Sequence, residues 1–461
     1  MAEPDAQKKP NAVSERWSRI AGLFKRRATL TMLGLGFASG LPLLLIAATL
    51  SVWLRQAGIT RSSIGLFSIA LLAYALKPFW APLVDRFRIP WLSRFGQRRS
   101  WMLLMQSVIA IAIISMAFSD PKADVMHLAI WGLVLAFASA TLDTSIDAWR
   151  VESGTSEEQG PLAAAATIGY RFGNLVAGAL ALYLVDIVSH GATPATDWAA
   201  VNNAWRAAYG VMAGLTLVGF AAMLYAREPE RSKDRKLRGI VEAIVDPVAE
   251  FFQREKVEAA IVLLFVFLSY VSIFVMGPMA NPMYVDTGYT PSEIATASKI
   301  IGLIVTLIGS VVGGVAIARW GVASVLALGV ASLSLPTLAL AWVAVSPHEF
   351  WRLAIAIGFD NFANAFGGTV FIAYLSAYTN PAYAATQYAA LAAVSQLPGR
   401  LIAPFTGKIV DALEPHYGSA NANGIFFTGA ALIGVPAIIM AIWCAGLLRR
   451  KLAPIDAPAS A

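Results

Sequence analysis

Cysteine is all but missing. Cys444 stands alone in 461 residues, which excludes an intrachain disulfide and any metal site built from several thiolates. Histidine is nearly as scarce: His127, His190, His348 and His416 are scattered between apolar runs or at their ends, so neither a metal centre nor a histidine-based catalytic cluster is expected. No glycine-rich phosphate loop and no His-Glu-x-x-His pair occurs. The chain therefore reads as no enzyme, with no cofactor and no ATP hydrolysis of its own. Charge is the largest deficit, at 14% of residues against about 25% in soluble domains.

What fills the space is apolar: 57% of the residues. Runs long enough to cross a bilayer, about 20 residues each, lie near 28–54, 62–84, 101–118, 126–149, 161–186 and 204–226. A second set lies near 257–285, 292–318, 322–345, 349–376, 384–411 and 421–448. Twelve spans make an all-α polytopic membrane protein. The expected organisation is an N-terminal tail 1–27, a six-helix bundle 28–226, an interdomain loop 227–256, a second bundle 257–448 and a tail 449–461. The polar, basic start carries no small-residue cleavage site behind a short apolar core, so a removable signal peptide is not expected and the first run stays as an anchor. Most of the 35 Lys and Arg fall in the tails and in the loops after even-numbered runs, which places both termini and those loops in the cytoplasm. Topology thus accounts for the net charge of +7 without a nucleic-acid partner.

The halves repeat. Gly58-x-Thr60-x-Ser62-x-Ile64 after the first run recurs as Gly288-x-Thr290-x-Ser292-x-Ile294 after the seventh, and Arg171 in run five corresponds to Arg400 in run eleven. Parallel repeats of six helices resemble the plan of major facilitator transporters, which rock two bundles about a central site. The loop after run two agrees: Asp85-Arg86, then Gly96-Gln-Arg98-Arg99, resembles that superfamily's acidic and basic loop motif with an insertion. Asp85, Arg86, Arg98 and Arg99 are expected to latch neighbouring helix ends in one state and release them in another. Gly40 and Pro42 break run one, as Gly277-Pro278 and Asn281-Pro282 break run seven, marking gate positions.

The most informative stretch is Ser139-Ala-Thr-Leu-Asp143-Thr-Ser-Ile-Asp147-Ala-Trp-Arg150. A spacing of four places Asp143 and Asp147 on one helix face, about 6 Å apart, at a depth where a carboxylate costs several kcal/mol unless it meets water, a partner or a bundle interior. Proton or substrate handling is the expected role, an internal salt bridge the alternative. Lys77, Arg171 and Arg400 are cations too deep to reach the interface easily and need carboxylate partners or an anionic substrate. Arg150 extends the acid stripe. Asn361 and Asn364 share a face beside Asp360 in run ten, and Gln396 sits one turn before Arg400; ligand contact and interhelical bonding both fit these amides. Tyr170, Trp149, Tyr374 and Tyr378 offer flat faces for a sugar ring or anchors at the membrane interface.

With these residues the chain resembles the AmpG muropeptide permease family of the major facilitator superfamily. The likeness rests on Phe37-Ala-Ser-Gly-Leu-Pro42, Ile64-Gly-Leu-Phe67, Lys77-Pro-Phe-Trp-Ala-Pro-Leu-Val-Asp85-Arg86, the acid stretch through Arg150 and Gly169-Tyr170-Arg171, and more loosely on Asp360-Asn361-Phe, Tyr374-Leu and Leu397-Pro-Gly-Arg400. The resemblance implies a proton-coupled importer of anhydromuropeptides in the bacterial inner membrane, working as a monomer and feeding peptidoglycan recycling and β-lactamase induction. The family's acid pair falls on Asp143 and Asp147. Leu142 stands where the family has Gln, and Asp360 where it has Glu. Competing readings are a related transporter of another anionic solute such as acetyl-coenzyme A, and a non-transporting membrane scaffold or sensor.

Overall fold

The computed structural model describes residues 26–87, 89–153, 159–229, 249–380 and 384–452. Among the described residues the regular structure is helical, with no strand. Ten helices are long and apolar enough to cross a membrane. One of them, Ala390–Lys451, doubles back at Gly418 (φ 75°), and the segment from Arg61 to Arg86, shortened in its apolar run by a 3-10 turn, adds a further crossing. The twelve expected runs are thereby recovered.

In chain order these are α1 Arg27–Gln56, α2 Arg61–Phe67 with Leu72–Arg86, α3 Gln97–Ala117, α4 Val125–Ser153, α5 Pro161–Val188 and α6 Trp198–Tyr225. The second half holds α7 Val257–Asp286, α8 Pro291–Trp320, α9 Val322–Val345, α10 Phe350–Ala377, α11 from Ala384–Ile402 into Thr406 and beyond, and α12 ending in Val435–Leu452. Loops after odd-numbered helices define one face, here the odd face; loops after even-numbered helices define the even face.

The sequence repeat turns out to be punctuation. Gly58 (φ 80°) and Gly288 (φ 94°) end α1 and α7 in the left-handed conformation that glycine alone adopts without strain. Two residues later Thr60 and Thr290 cap α2 and α8 by accepting the backbone N–H of Ser63 and Glu293 at 3.3 and 3.2 Å. Ile64 and Ile294 then bury themselves. Stop, cap and anchor give each half the same hairpin.

Within the first half, α1 and α5 lie backbone to backbone. Gly36 and Gly40 face the carbonyls of Ala166 and Tyr170, while Gly169 and Gly173 face those of Leu33 and Phe37, the close approach that small residues four apart allow. Gly40 is thus a packing residue; the break in α1 comes at Ala47 (φ −92°, ψ −89°), following Pro42. The halves meet through α1 with α7, α2 with α11 and α5 with α8. Shifting by six helices turns the α2–α11 seam into the α8–α5 seam, as two related lobes require.

Candidate functional site

Asp143 is half-buried in the middle of α4 and accepts a 2.6 Å hydrogen bond from the Ser39 hydroxyl of α1. The glycine contacts between α1 and α5 hold Ser39 in place from the other side. Asp147, one turn on, is 62% exposed and lies 3.9 Å from Lys77 of α2 and 4.0 Å from Arg150. The two acids that spacing pairs therefore differ: one is held by a neutral donor, the other stands in the open between cations. Trp80 fixes α2 to α4 by donating to the Thr141 hydroxyl at 3.1 Å. Tyr74 and Tyr170, both inward-facing, lie within electrostatic reach of Asp143 on one side and Arg400 on the other.

Arg400 joins the halves. It donates to the Leu71 carbonyl of α2 at 3.0 Å and to Gln396 at 2.9 Å, with its guanidinium 5.0 Å from the Phe274 ring. It also lines a cavity of about 320 Å³ between the halves, walled by Leu43, Leu50, Phe67, Phe274 and Asn281 among others. Such a space, apolar with a few convergent polar groups, is what a ligand site requires.

Other expected residues are placed differently. Arg171 is exposed, and the expectation of a buried arginine there is corrected: Tyr170 and Asn174 take the inward face of α5, and one further residue rotates about 100° away. Asn361 donates to the Ile357 carbonyl at 2.9 Å and borders Thr306 of α8, while Asn364 sits beside Asp360 with its carbonyl oxygen buried and unpartnered. Trp149 is buried and donates to the Arg227 carbonyl, and Tyr374 and Tyr378 pack against each other, rings tilted by 47°, within the second half's core; none of the three lines the cavity.

Of the expected latch, Arg98 pairs with Glu152 at 3.0 and 2.7 Å, and the backbone N–H groups of Arg98 and Arg99 are capped by Glu228. Arg99 also donates to the carbonyls of Met223 and Leu224. All these bonds stay inside the first half, tying α3 to α4 and to the end of α6. Asp85 and Arg86 close α2; their side chains lie outside the described residues, as do 230–248 of the interdomain loop.

The charge cluster that spans the halves is at the odd face and escaped the motif reading. Arg61, 1% exposed, pairs with Asp286 at 2.7 Å, with Asp411 at 3.5 Å and with Glu414, and donates to Ser419 at 2.7 Å. Arg55 adds a second bond to Asp286. Ser62 gives both its N–H and its hydroxyl to Asp411. Gly407 lets this happen by lying directly against the Arg61 carbonyl. A second overlooked residue is Lys299 of α8, half-buried where α8 meets α5. The available signal was plain: a lone charge inside an apolar run.

The model of the Major Facilitator Superfamily matches residues 28–404. The chain is 34% identical to the putative transporter AmpG 4 of Rickettsia conorii over 92% of its own length and 98% of that protein. It is 31% identical to the anhydromuropeptide permease of Escherichia coli, covering 93% of this chain and 82% of the relative. A bacterial homolog of the human lysosomal transporter Spinster, in an inward-facing unoccupied conformation, superposes with a TM-score of 0.66 at 16% identity over 98% of this chain and all of that one. A D-xylose–proton symporter gives 0.64 at 16% identity, over 88% and 96%. The chain belongs to the AmpG family of the major facilitator superfamily and is a multi-pass membrane transporter of the major facilitator fold, not an enzyme.

Proposed function

We propose that this major facilitator transporter imports anhydromuropeptides through the bacterial inner membrane together with protons, as a monomer. The bundles 28–226 and 257–448 rock about the central cavity, and the even face, with both termini, is cytoplasmic. The substrate rests on one observation, the match along nearly the whole chain to a relative named anhydromuropeptide permease. The mechanism rests on the geometry around Asp143.

Arg61 and its acids hold the two halves together at the odd face. Arg400 is occupied by the Leu71 carbonyl of the opposite half. A carboxylate on the substrate competes for that guanidinium, since charge-assisted pairs are stronger than bonds to a neutral carbonyl, and winning it loosens α11 from α2. Gln396 keeps the guanidinium oriented. A proton on Asp143 removes the charge that attracts Lys77 and alters the bond from Ser39, so protonation changes how α1, α2 and α4 hold together. Asp147 and Arg150 relay protons and anions at the exposed end, while Tyr170, Asn361 and Asn364 offer hydroxyl and amide groups to the sugar and peptide. Only such differential contacts can shift the balance between two states.

Purified protein in liposomes is expected to accumulate labelled anhydromuropeptide when a pH gradient is imposed and to stop at equilibration without one. No accumulation under either condition would remove the reading.

A further inference from the structure

Lys299 stands in an unusual piece of backbone. α8 passes through a π-helical turn, Thr296–Ile301, and α5 passes through another, Val176–Leu180, directly opposite. Single π-turns inside α-helices gather at functional sites because they release a backbone group and turn a side chain out of register. Two of them facing each other across the seam between mobile halves is more than either helix needs in order to pack.

The lysine crosses from one half to the other. Its Cε would lie 2.5 Å from a Cβ placed on Gly178, and the same position touches Leu44, a wall of the central cavity. Glycine at 178 therefore makes room for the side chain. Three residues along, Gly302 borders the Asn361 amide, so a polar donor lies next along α8. At the odd end of the seam, Tyr183 and Thr296 share a 2.5 Å hydrogen bond. Among the described residues no carboxylate comes within 4 Å of the Lys299 ammonium, whereas Lys77 has Asp147 at 3.9 Å and Arg400 has the Leu71 carbonyl and Gln396. An unpaired cation at this depth is costly and is retained where it serves an ion or a substrate.

We infer that Lys299 receives a carboxylate of the transported molecule between the two π-turns, as the counterpart of Arg400 across the cavity. The ligand class, a molecule with acidic groups spaced to reach both seams, rests on the importer reading, in which the stem peptide supplies them. Binding to Lys299 would draw α5 and α8 together, because the ammonium belongs to one half and the glycine that cradles it to the other.

Uptake into liposomes of the acidic anhydromuropeptide is compared with that of the same compound with its peptide carboxyls amidated. Unsubstituted protein is expected to favour the acid by about a hundredfold in KM, about tenfold for each of the charge-assisted bonds to Arg400 and Lys299. Lys299→Met should cut the preference to about tenfold, the share that Arg400 holds, while still moving the amidated compound. Gly178→Ala, which keeps the lysine but displaces it, should weaken the same preference and serves if Lys299→Met does not fold. Full acid preference in either variant overturns the inference. Should the unsubstituted protein move neither compound, the importer reading fails by itself. The inference is then read from melting: alanyl-glutamate raises the melting temperature of the unsubstituted protein above the effect of its diamide, and equal shifts overturn it.

Discussion

The two seams between the halves are related by the internal repeat but built on opposite electrostatic terms. Along α2–α11 the odd-face cation is saturated, since Arg61 meets three acids and a serine, while Arg400, deeper in, meets a carbonyl, an amide and an aromatic ring and keeps a buried Nε without a partner. Along α5–α8 the bond is a neutral one between Tyr183 and Thr296, and Lys299 has no acid within reach among the described residues. A saturated charge holds a conformation. An unsaturated one waits for a ligand. Closure thus belongs to the odd end of the α2–α11 seam, and recognition to the two unsaturated cations, Arg400 and Lys299, that face each other across the centre.

The largest effect should come from the centre. Asp143→Asn keeps the acceptor for Ser39 but cannot carry a proton, and gradient-driven uptake is expected to fall to background at unchanged expression. Asp147→Asn removes an exposed carboxylate already screened by water and is expected to reduce uptake several-fold without abolishing it. Equal, intact uptake in both variants would take the acid stretch out of coupling.

The next effect belongs to the saturated seam. Arg61→Ala leaves Asp286, Asp411 and Glu414 crowded together without their buried counter-charge, a loss of about 3–5 kcal/mol by analogy with broken buried pairs. The odd face should open. Spin labels placed on the loops after α1 and α11 would report a longer distance, and Arg61→Lys should recover little, because an ammonium cannot reproduce the fork that reaches several acids at once. An unchanged distance in Arg61→Ala would show the cluster to be decoration.

Charges within the spans are easier to single out in the sequence than the contacts of the seams. Asp143, Asp147 and Lys77 stand out because charge inside an apolar run is expensive wherever it lands, and four-residue spacing fixes a shared face. The hairpin repeat was visible for a similar reason: Gly, Thr and Ile at fixed intervals encode local backbone events. Arg61 was opaque, since an arginine at a loop end reads as ordinary topology until Asp286 and Glu414, more than 220 residues away, are brought beside it. Arg171 misled because its neighbour Tyr170 faces inward, and sequence spacing alone does not say which of two adjacent residues does. Lys299 was legible as a lone charge, but its meaning depends on two π-turns that no residue pattern announces.

A smaller effect tests the packing that sets the seams' geometry. Gly169→Ala pushes a methyl group into the Leu33 carbonyl, where backbone on both sides leaves little to give, and overpacking of this kind typically costs about 1–3 kcal/mol. The protein should melt at a lower temperature, with Ser39 drawn away from Asp143 and uptake reduced. Gly210→Ala, a change with open space around it, should leave both unaltered, so equal behaviour of the two variants would detach α1–α5 packing from the site.

The smallest expected effect is at the even face, at contacts that join the stretch before α7 to the end of α10 and the start of α11. Glu250, in the helical stretch before α7, accepts from Asn380 at 2.8 Å, from Gln387 at 2.5 Å and from Arg254 at 3.0 Å. The Asn380 amide above all, with Gln387 and Arg254, outweighs the desolvation of burial and holds the Glu250 carboxyl below the usual range. Because the docked form favours the charged carboxylate, docking is at full strength above the ordinary glutamate value of about 4.3 and is lost as pH falls below it toward the depressed one. The side chain is 24% exposed, so the gain is that of a screened surface contact. Backbone hydrogen exchange over 250–256, corrected for intrinsic rates, should accelerate only a few-fold between pH 7 and pH 4. Glu250→Gln should abolish that pH dependence, while leaving the distance across the odd face at pH 7 where it was; movement there would mean that the even-face contact reaches the saturated seam after all.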